Sequence, residues 1–333
     1  MKRILLAGYF GMGNLGDEAI LEGELTYLQR EIPNLKISVL SGAPEKTSKA
    51  FLCQSFNRSS LRDVFQAVSS CDIFVLGGGG IFQDVTSFRS LLYYLFLLEV
   101  AKKKGKKVAV FAMGIGPLKR KISEFLVKRA LLHSDSVSLR DRQSYDWAIK
   151  RGIEKAFLSA DASFLLTPPA PRERKMEIGV SVRSWRGLNT EELKKFLIEM
   201  SKKGYTLSLI VFNPEDREIS RSLVSQTGGN LLEPQSPREA LELLAGMEAA
   251  IAMRLHCAIL STIAGTPFLA ISYDPKVQAF AEEIGQPFLC LEDINKNNLH
   301  NLFGKWEVER LKEGYLTMRK RAEEGINLLA RLR

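Results

Sequence analysis

The chain has 333 residues, and a typical domain size of about 150 residues predicts two domains. Hydrophobic residues make up 45% of the sequence and charged residues 26%, which is typical of a globular protein and excludes a disordered chain. The 47 Lys and Arg exceed the 38 Asp and Glu, and the resulting charge of +9 favours anionic partners such as phosphorylated metabolites, lipid head groups or nucleic acid.

Cysteine usage and the apolar segments predict the compartment. The four cysteines are widely spaced, with no C-x-x-C pair, which indicates a reducing environment. Glycines and an acidic pair interrupt the N-terminal apolar stretch too early for a signal peptide. The run Leu91–Leu98 is too short to span a membrane, and the run Ala249–Tyr273 contains Arg254 and His256. We therefore expect a cytoplasmic protein.

In the first half of the chain, short apolar runs alternate with helical patterns, which is typical of a parallel sheet built from βαβ units. Strands are predicted at Arg3–Ala7, Ile37–Leu40, Ile73–Leu76, Val108–Ala112, Ser136–Leu139 and Ala156–Leu158. Helices are predicted at Asp17–Arg30, Leu61–Ser69, Ser87–Lys104, Ser123–His133 and Gln143–Arg151. The segment Thr167–Lys175, with three prolines and four charged residues, is predicted to be a linker.

A second series of the same kind follows the linker. Strands are predicted at Glu177–Val182, Leu207–Phe212, Ala249–Met253, Phe268–Ser272 and Phe288–Leu291. Helices are predicted at Thr190–Lys203, Pro237–Gly246, Cys257–Ala264, Lys276–Ile284 and from Trp306 to about Leu332.

The two series predict an α/β protein of two doubly wound, Rossmann-like domains, residues 1–168 and 175–333. The last helix is a candidate for packing back on the N-terminal domain. Ligands of such sheets bind at the carboxyl ends of the strands, so we expect the site in a cleft between the facing domains.

The loop after the first strand contains Gly11, Gly13 and Gly16 in the spacing G-x-G-x-x-G, which dinucleotide-binding folds use to hold a pyrophosphate. Asp17 and Glu18 occupy the helix start where that anion would lie, and no acidic residue follows the second strand to hold a ribose. NAD binding is therefore disfavoured. Two interpretations remain open: the acidic pair complements the helix dipole, or Asp17 is a base for a hydroxyl.

Glycines also follow the third and fourth predicted strands, at Gly77–Gly80 and at Gly114 and Gly116. Four consecutive glycines lose much backbone entropy on folding, so we expect either a close approach of a ligand or a positive φ there. Three strand ends of one domain then present bare backbone at the same edge, which predicts a shared crevice.

Two charged segments follow later strands. After Ser136–Leu139 come Arg140 and Arg142, and an arginine at a strand end can bind a carboxylate or phosphate through two hydrogen bonds. The alternative interpretation is a structural ion pair of Arg140 with Asp141, or a solvent-exposed Arg142. After Ala249–Met253 come Arg254 and His256, which predict an anion site with a proton donor that titrates near neutral pH.

The remaining candidates are single residues at other strand ends. Lys276 adds a positive charge after Phe268–Ser272, and Arg183 and Trp185 follow the first strand of the second domain, where an indole can stack on a sugar. The alternative for the two basic residues is a solvent-exposed side chain, and the alternative for Trp185 is an aromatic ring packed in the protein. No His, Cys and acidic cluster has metal-ligand spacing, and neither a nucleophile elbow nor a P-loop is present.

Together these segments resemble the polysaccharide pyruvyl transferase family, specifically its CsaB-type members of bacterial cell-wall polymer synthesis. The ordered set that carries the resemblance spans most of the chain: GYFGMGNLGDEAIL, GGGGIFQDVTS, GIGP, SLRDRQS, SVRSW and MRLHCAILSTIAGTPFLAISYDPKV.

The resemblance implies a two-domain GT-B-like fold and phosphoenolpyruvate as co-substrate, with no cofactor and no metal. It implies His256 and Asp17 as catalytic residues. The implied donor-binding residues are Arg140, Arg254, Leu255 and Lys276. The expected residues of the acceptor side or cleft lining are Asn14, Gly16, Gly78, Gly79, Gln83, Asp84, Arg183 and Trp185.

The implied acceptor is a saccharide, a lipid-linked disaccharide ending in N-acetylmannosamine, so peripheral contact with the inner face of the cytoplasmic membrane is expected. A GT-B nucleotide-sugar glycosyltransferase is the alternative enzyme. A nucleic-acid-binding protein is disfavoured because the basic clusters Lys102–Lys107 and Lys119–Lys121 lack interleaved aromatics.

Overall fold

The computed structural model describes residues 2–332, apart from the side chain of Ala330. The chain forms two units. The first contains the chain up to Gly13, Asp17–Leu166 and the chain from Met318 onward; the second contains Asn14–Gly16 and Thr167–Thr317. This division differs from the predicted domains 1–168 and 175–333, because residues 14–16 belong to the second unit and the end of the last helix belongs to the first.

The first unit is built on a seven-stranded sheet. Its strands are β1 Arg3–Ala7, β2 Lys36–Ser41, β3 Gln54–Asn57, β4 Ile73–Phe82, β5 Lys107–Ile115, β6 Ser136–Leu139 and β7 Ala156–Leu158. They lie in the order β3-β2-β1-β4-β5-β6-β7, and every neighbouring pair is parallel. Its helices are α1 Leu15–Glu31, α2 Pro44–Phe51, α3 Leu61–Ser70, α4 Phe88–Lys103, α5 Lys121–His133 and α6 Arg142–Ile149.

The second unit repeats this plan with six parallel strands. They are β8 Lys175–Ser181, β9 Thr206–Ile210, β10 Asn230–Leu232, β11 Met247–Ala252, β12 Phe268–Ser272 and β13 Phe288–Cys290, in the order β10-β9-β8-β11-β12-β13. Its helices are α7 Thr190–Lys202, α8 Arg217–Thr227, α9 Pro237–Ala245, α10 Leu255–Ala264, α11 Pro275–Glu283 and α12 Lys296–Leu302, and helix α13 Val308–Ala330 ends the chain.

Both units bury continuous apolar strands under helices, as parallel sheets require. Leu5 and Phe74 are fully buried in the first core, and Val180 and Ile251 in the second. Helices begin where short polar side chains cap them. The hydroxyls of Ser60, Ser87 and Ser236 accept hydrogen bonds from the amides three residues on and thereby start α3, α4 and α9.

The predicted α/β fold of two doubly wound domains is confirmed, with two differences in detail. Of the glycines predicted to follow strands at Leu76 and Ala112, Gly77–Gly80 and Gly114 lie inside the strands, because β4 continues to Phe82 and β5 to Ile115, and Gly116 directly follows β5. Five elements were not predicted: α2, β3, α8, β10 and α12. Within the described residues, no helix combines the length and the apolar character needed to cross a bilayer.

Candidate functional site

Each sheet has a topological switch point, which is the place where the strand order reverses. Ligands of doubly wound folds bind there. In the first unit it lies between β1 and β4, the strands that precede or contain the glycine-rich segments. In the second unit it lies between β8 and β11, which are followed by Arg183 and Arg254. The sequence candidates thus fall at the position that the topology favours in each unit.

The glycines of β4 allow helix α1 to approach the sheet. A Cβ at Gly79, where φ is +85°, would lie 3.1 Å from Asp17 Oδ1, and one at Gly78 would lie 3.0 Å from the Ile20 side chain. A Cβ at Gly77 would lie 2.5 Å from both carboxyl oxygens of Glu24. The sequence expectation of a close approach is met here by the protein's own helix, which brings Asp17, Gly78 and Gly79 together.

Glu24 was not singled out from the sequence, and its carboxyl group is completely buried. Among the described residues neither oxygen forms a hydrogen bond of standard geometry. Burial raises the pKa of Glu24 well above its usual value, the charge of Asp161 raises it further, and the nearby amide of Gly78 opposes the rise. The group therefore favours the protonated, neutral form.

Arg140 lies over the glycine backbone at the end of the same sheet. A Cβ at Gly114 would lie 2.8 Å from its Nε, and one at Gly80 would lie 3.4 Å from its Nη2. Its Nη1 donates to Asp161 Oδ2 at 2.8 Å, and both side chains are nearly buried, with exposures of 7% and 5%. The closer partner is thus Asp161, while Asp141, 3.8 Å from Arg140 Nε, also caps α6 through the amide of Ser144.

The loop after β1 is closed by Glu18 and not by an external anion. Gly11, at φ +71°, donates its amide to Glu18 Oε1 at 2.8 Å. Burial raises the pKa of Glu18 to about 7, the Gly11 amide opposes that rise, and the charge of Asp17 adds to it. The G-x-G-x-x-G segment therefore already has a carboxyl group where a dinucleotide would place its pyrophosphate.

Gln83 and Asp84 organise the chain that follows β4. Gln83 Oε1 accepts from the amides of Val85 and Thr86 at 2.8 and 2.9 Å. Asp84 accepts from the amides of Lys119 and Arg120 and from the Ser123 hydroxyl. Burial alone would raise the pKa of Asp84, but these hydrogen bonds hold it below its usual value. Of these two side chains, predicted to line the acceptor side, Gln83 holds the segment before α4 and Asp84 holds the start of α5.

In the second unit, Arg254 precedes α10 and is held by a carboxylate from another strand end. Its Nε and Nη2 donate to the two oxygens of Asp216 at 2.8 and 2.5 Å, and Asp216 is 1% exposed. Burial raises the pKa of Asp216, while the positive charges of Arg254 and Arg183 oppose the rise. Arg254 is therefore paired with the buried Asp216, and the exposed Glu215 lies 4.0 Å from its Nη2.

Arg183 is surrounded by aromatic rings. Its guanidinium carbon lies 4.8 Å from the centre of the Trp185 ring and 5.3 Å from that of Tyr273, and its Nη1 donates to the Tyr273 hydroxyl at 3.3 Å. The two rings lie 4.9 Å apart, and Trp185 is 41% exposed. Within residues 2–332 Arg183 forms no ion pair, so its charge is held by rings and by a hydroxyl.

His256 lies in the first turn of α10, next to Leu255, and is half-buried. The backbone of Gly16 packs directly on its ring: a Cβ at Gly16 would lie 2.2 Å from Nδ1. Asn14 Oδ1 accepts from the Gly16 amide at 3.0 Å, and the Leu15 amide donates to the Phe212 carbonyl at 2.9 Å. The segment Asn14–Gly16 therefore forms one wall beside the imidazole.

Lys276 lies in the first turn of α11, which Asp274 caps by accepting from the Lys276 amide at 3.0 Å. Since β8, β11 and β12 are adjacent, Arg183, Arg254 and Lys276 follow three neighbouring strands at one sheet edge. Within the described chain, no group of three His, Cys or acidic residues is placed to hold a metal ion.

The two aspartates that pair with the predicted arginines were not predicted from the sequence, and neither was Glu24. Asp161 follows β7 and Asp216 follows β9, so an acidic residue after a strand was the available signal. Glu24 lies two helical turns after Asp17, on the same side of α1, and this spacing could have indicated that it faces β4.

Known proteins place the chain in a family. The profile of the family described as polysaccharide pyruvyl transferase matches residues 14–275. The amylovoran biosynthesis protein AmsJ of Erwinia amylovora is 23% identical over an alignment that covers 86% of each chain.

Solved structures share the fold at low identity. The UDP-N-acetylglucosamine 2-epimerase of Methanocaldococcus jannaschii is 13% identical, with a TM-score of 0.67 over 99% of this chain and 100% of its own. HepE of Anabaena, in complex with UDP-glucose, is 11% identical, with a TM-score of 0.64 over 100% of both chains. These likenesses support a GT-B-like fold of two Rossmann-like domains. Because the family match covers well over half of its length, the chain belongs to the polysaccharide pyruvyl transferase family.

Proposed function

We propose that the protein transfers the pyruvyl group of phosphoenolpyruvate to two hydroxyls of one sugar in a cell-wall polysaccharide precursor, forming a ketal and releasing phosphate. The family match over residues 14–275 carries the proposal. Phosphoenolpyruvate acts as co-substrate, and the proposed reaction uses no further cofactor.

The charge at the switch point of the second unit supports a doubly anionic donor. Phosphoenolpyruvate carries a carboxylate and a phosphate, which guanidinium groups bind well. Arg183 forms no ion pair within residues 2–332, Arg254 pairs with Asp216, and the N-terminus of α10, at Leu255, adds the favourable end of a helix dipole. The proposed donor-binding residues are Arg140, Arg254, Leu255 and Lys276, and we add Arg183, which the sequence had placed on the acceptor side.

The proposed chemistry uses one acid and one base. His256 donates a proton to the methylene carbon of the enol, so that C2 becomes electrophilic. Asp17 accepts the proton of the first sugar hydroxyl as its oxygen bonds to C2. The second hydroxyl then attacks C2, the bond to the phosphate oxygen breaks, and the phosphate leaves with the second hydroxyl's proton. Acid and base contributions of this type are each about 10²–10⁴-fold.

The acceptor in the proposal is the sugar of a lipid-linked precursor, with N-acetylmannosamine as the first candidate and peripheral contact with the inner face of the membrane. Mass spectrometry of products formed from phosphoenolpyruvate and a panel of aminosugar glycosides tests this directly. Phosphoenolpyruvate, but not UDP or GDP, should raise the melting temperature. Stabilisation by UDP or GDP alone would instead favour a nucleotide-sugar glycosyltransferase.

Two variants test the catalytic roles. His256→Ala should lose about 10²–10⁴-fold in turnover. His133→Ala removes an exposed histidine of α5 and should keep full activity as the matched control. Asp17→Asn should lose turnover with unchanged affinity for phosphoenolpyruvate. A folded His256→Ala protein with full transfer activity would exclude the proposed role of this histidine.

A further inference from the structure

Arg58 lies just after β3 in the first unit, among three tyrosines. Its guanidinium carbon is 5.5 Å from the ring centre of Tyr9, 5.1 Å from that of Tyr93 and 5.3 Å from that of Tyr94. Each distance is within the range of a cation–π interaction. Tyr9 belongs to the glycine-rich loop after β1, so Arg58 lies beside that loop.

Hydrogen bonds fix the position of Arg58. Its Nη1 donates to the Gly8 carbonyl at 3.2 Å, and its Nη2 donates to the Tyr94 hydroxyl at 2.9 Å. The Tyr93 hydroxyl donates to the Arg58 carbonyl at 2.7 Å. A guanidinium has five N–H donors, and these two hydrogen bonds use two of them.

No carboxylate of residues 2–332 forms an ion pair with Arg58, which is half-buried. Arg140 in the same unit differs, because Asp161 neutralises it. Partial burial of a cation without an anion is unfavourable, and rings and carbonyls compensate for it only in part. The arrangement is therefore complementary to an anion that the protein does not itself supply.

The candidate base Asp17 belongs to the same neighbourhood. Burial raises the pKa of the Tyr94 hydroxyl, Arg58 opposes the rise, and the charge of Asp17 adds to it. Both charges therefore act on the Tyr94 hydroxyl, to which Arg58 Nη2 donates at 2.9 Å.

We propose that Arg58 binds the phosphate of a phosphorylated saccharide, with the ring of Tyr9 beside it. This inference rests on the proposed function and makes its acceptor class more specific: a neutral, finished glycan would leave the charge of Arg58 without a counter-charge, whereas a precursor that still carries phosphate supplies one. The phosphate belongs either to a soluble sugar phosphate or to a lipid carrier.

Binding of two probes in the absence of phosphoenolpyruvate tests the inference independently of catalysis. The probes are N-acetylglucosamine 1-phosphate in solution and phosphatidylcholine vesicles containing a polyprenyl diphosphate. Arg58→Gln should weaken binding of the preferred probe about 10- to 100-fold, as expected for hydrogen bonds to a charged group. Arg62→Gln removes an exposed arginine of α3 and should leave binding unchanged.

Arg58→Lys keeps the charge and serves if Arg58→Gln does not fold; it should still weaken binding because one ammonium cannot replace a forked donor. Binding of the vesicles through Arg58 assigns the phosphate to a lipid carrier, and binding of the sugar phosphate alone assigns it to a soluble precursor. Equal affinities of folded wild type and both Arg58 variants, no binding of either probe, or binding of glucuronate in preference to both, would overturn the inference. Failure of the proposed function is distinct, since it appears as absence of a pyruvylated product with every acceptor.

Discussion

Replacing Glu24 with Gln should change how the stability of the first unit depends on pH. The wild-type carboxyl is fully buried, and a Cβ at Gly77 would lie 2.5 Å from both of its oxygens. Glutamine has nearly the same size but is neutral at every pH. The substitution therefore removes the ionisation and leaves the packing nearly intact.

The sign follows from the raised pKa. Burial, with a further contribution from the charge of Asp161, raises the pKa of Glu24 in the folded chain above its value near 4.3 in the unfolded chain. The folded state then binds the proton more tightly, so its advantage is complete below the unfolded pKa and is lost as pH rises through the folded pKa. Between these two values the wild type loses about 1.4 kcal/mol of unfolding free energy per pH unit relative to Glu24→Gln.

The assay is urea unfolding of both proteins from about pH 5 to about pH 8. Trp147 of α6 is the tryptophan of the first unit, so its fluorescence follows that unit when Trp185 and Trp306 are replaced by Phe in every protein. The unfolding free energy of Glu24→Gln minus that of the wild type should increase as pH rises. It should then become constant above the folded pKa.

Glu45→Gln is the matched control, because Glu45 is an exposed carboxylate of α2 in the same unit. Its difference from wild type should remain nearly constant over the same range. A Glu24→Gln difference that is equally flat would refute the argument, since Glu24 would then ionise alike in the folded and unfolded chains.

Three further predictions follow from the geometry. Gly16→Ala should lower the unfolding free energy by about 1–3 kcal/mol in urea titrations, because the new Cβ would lie 2.2 Å from His256 Nδ1; an unchanged stability would contradict the packing. Glu18 should titrate near pH 7 in carboxyl NMR, its contribution to stability being lost as pH rises through that value, and a midpoint near 4.5 would contradict its burial. Arg183→Gln should weaken phosphoenolpyruvate binding with little loss of stability. Arg254→Gln should lower the unfolding free energy by roughly 3–5 kcal/mol in the same urea titrations, because it leaves the buried Asp216 unpaired. Equal unfolding free energies of the two variants would contradict this.

A continuous apolar run decides which strands the sequence predicts. The bounds of β1, β6, β7 and β12 are those expected from short apolar runs. The edge strands β3 and β10 were missed because their sequences, QSFN and NLL, include polar residues, whereas the edge strands β7 and β13, with AFL and FLC, are wholly apolar. An edge strand pairs on one side only and does not need a continuous apolar run, so a partly polar edge strand resembles a loop.

The extension of β4 through its glycines has another cause. Glycine disfavours strands, so the local sequence predicts an end at Leu76. The strand continues because α1 and Arg140 approach the backbone more closely than side chains at Gly77–Gly80 would permit. This requirement comes from residues far away in the sequence, which local propensity does not contain.

The same distinction applies to the candidate site. The strand ends were predictable, since parallel strands place their carboxyl ends at one edge. The partners were not: Arg140 pairs with Asp161, 21 positions away, and Arg254 with Asp216, 38 positions away. Arg58 was missed with β3, the strand that it follows.

These ion pairs show which arginines keep their positive charge and which are neutralised. Arg140 and Arg254 each form an ion pair with a buried aspartate. Each pair therefore fixes the position of the guanidinium N–H donors but adds almost no net charge to its surroundings. Arg58 and Arg183 instead lie against tyrosine and tryptophan rings, which stabilise a cation without neutralising it. Of these four arginines, each unit thus contains one that is paired with an aspartate and one that keeps its charge. For a transferase whose proposed donor and acceptor both carry phosphate, the charged arginines are the ones expected to determine affinity, and the paired ones to determine geometry.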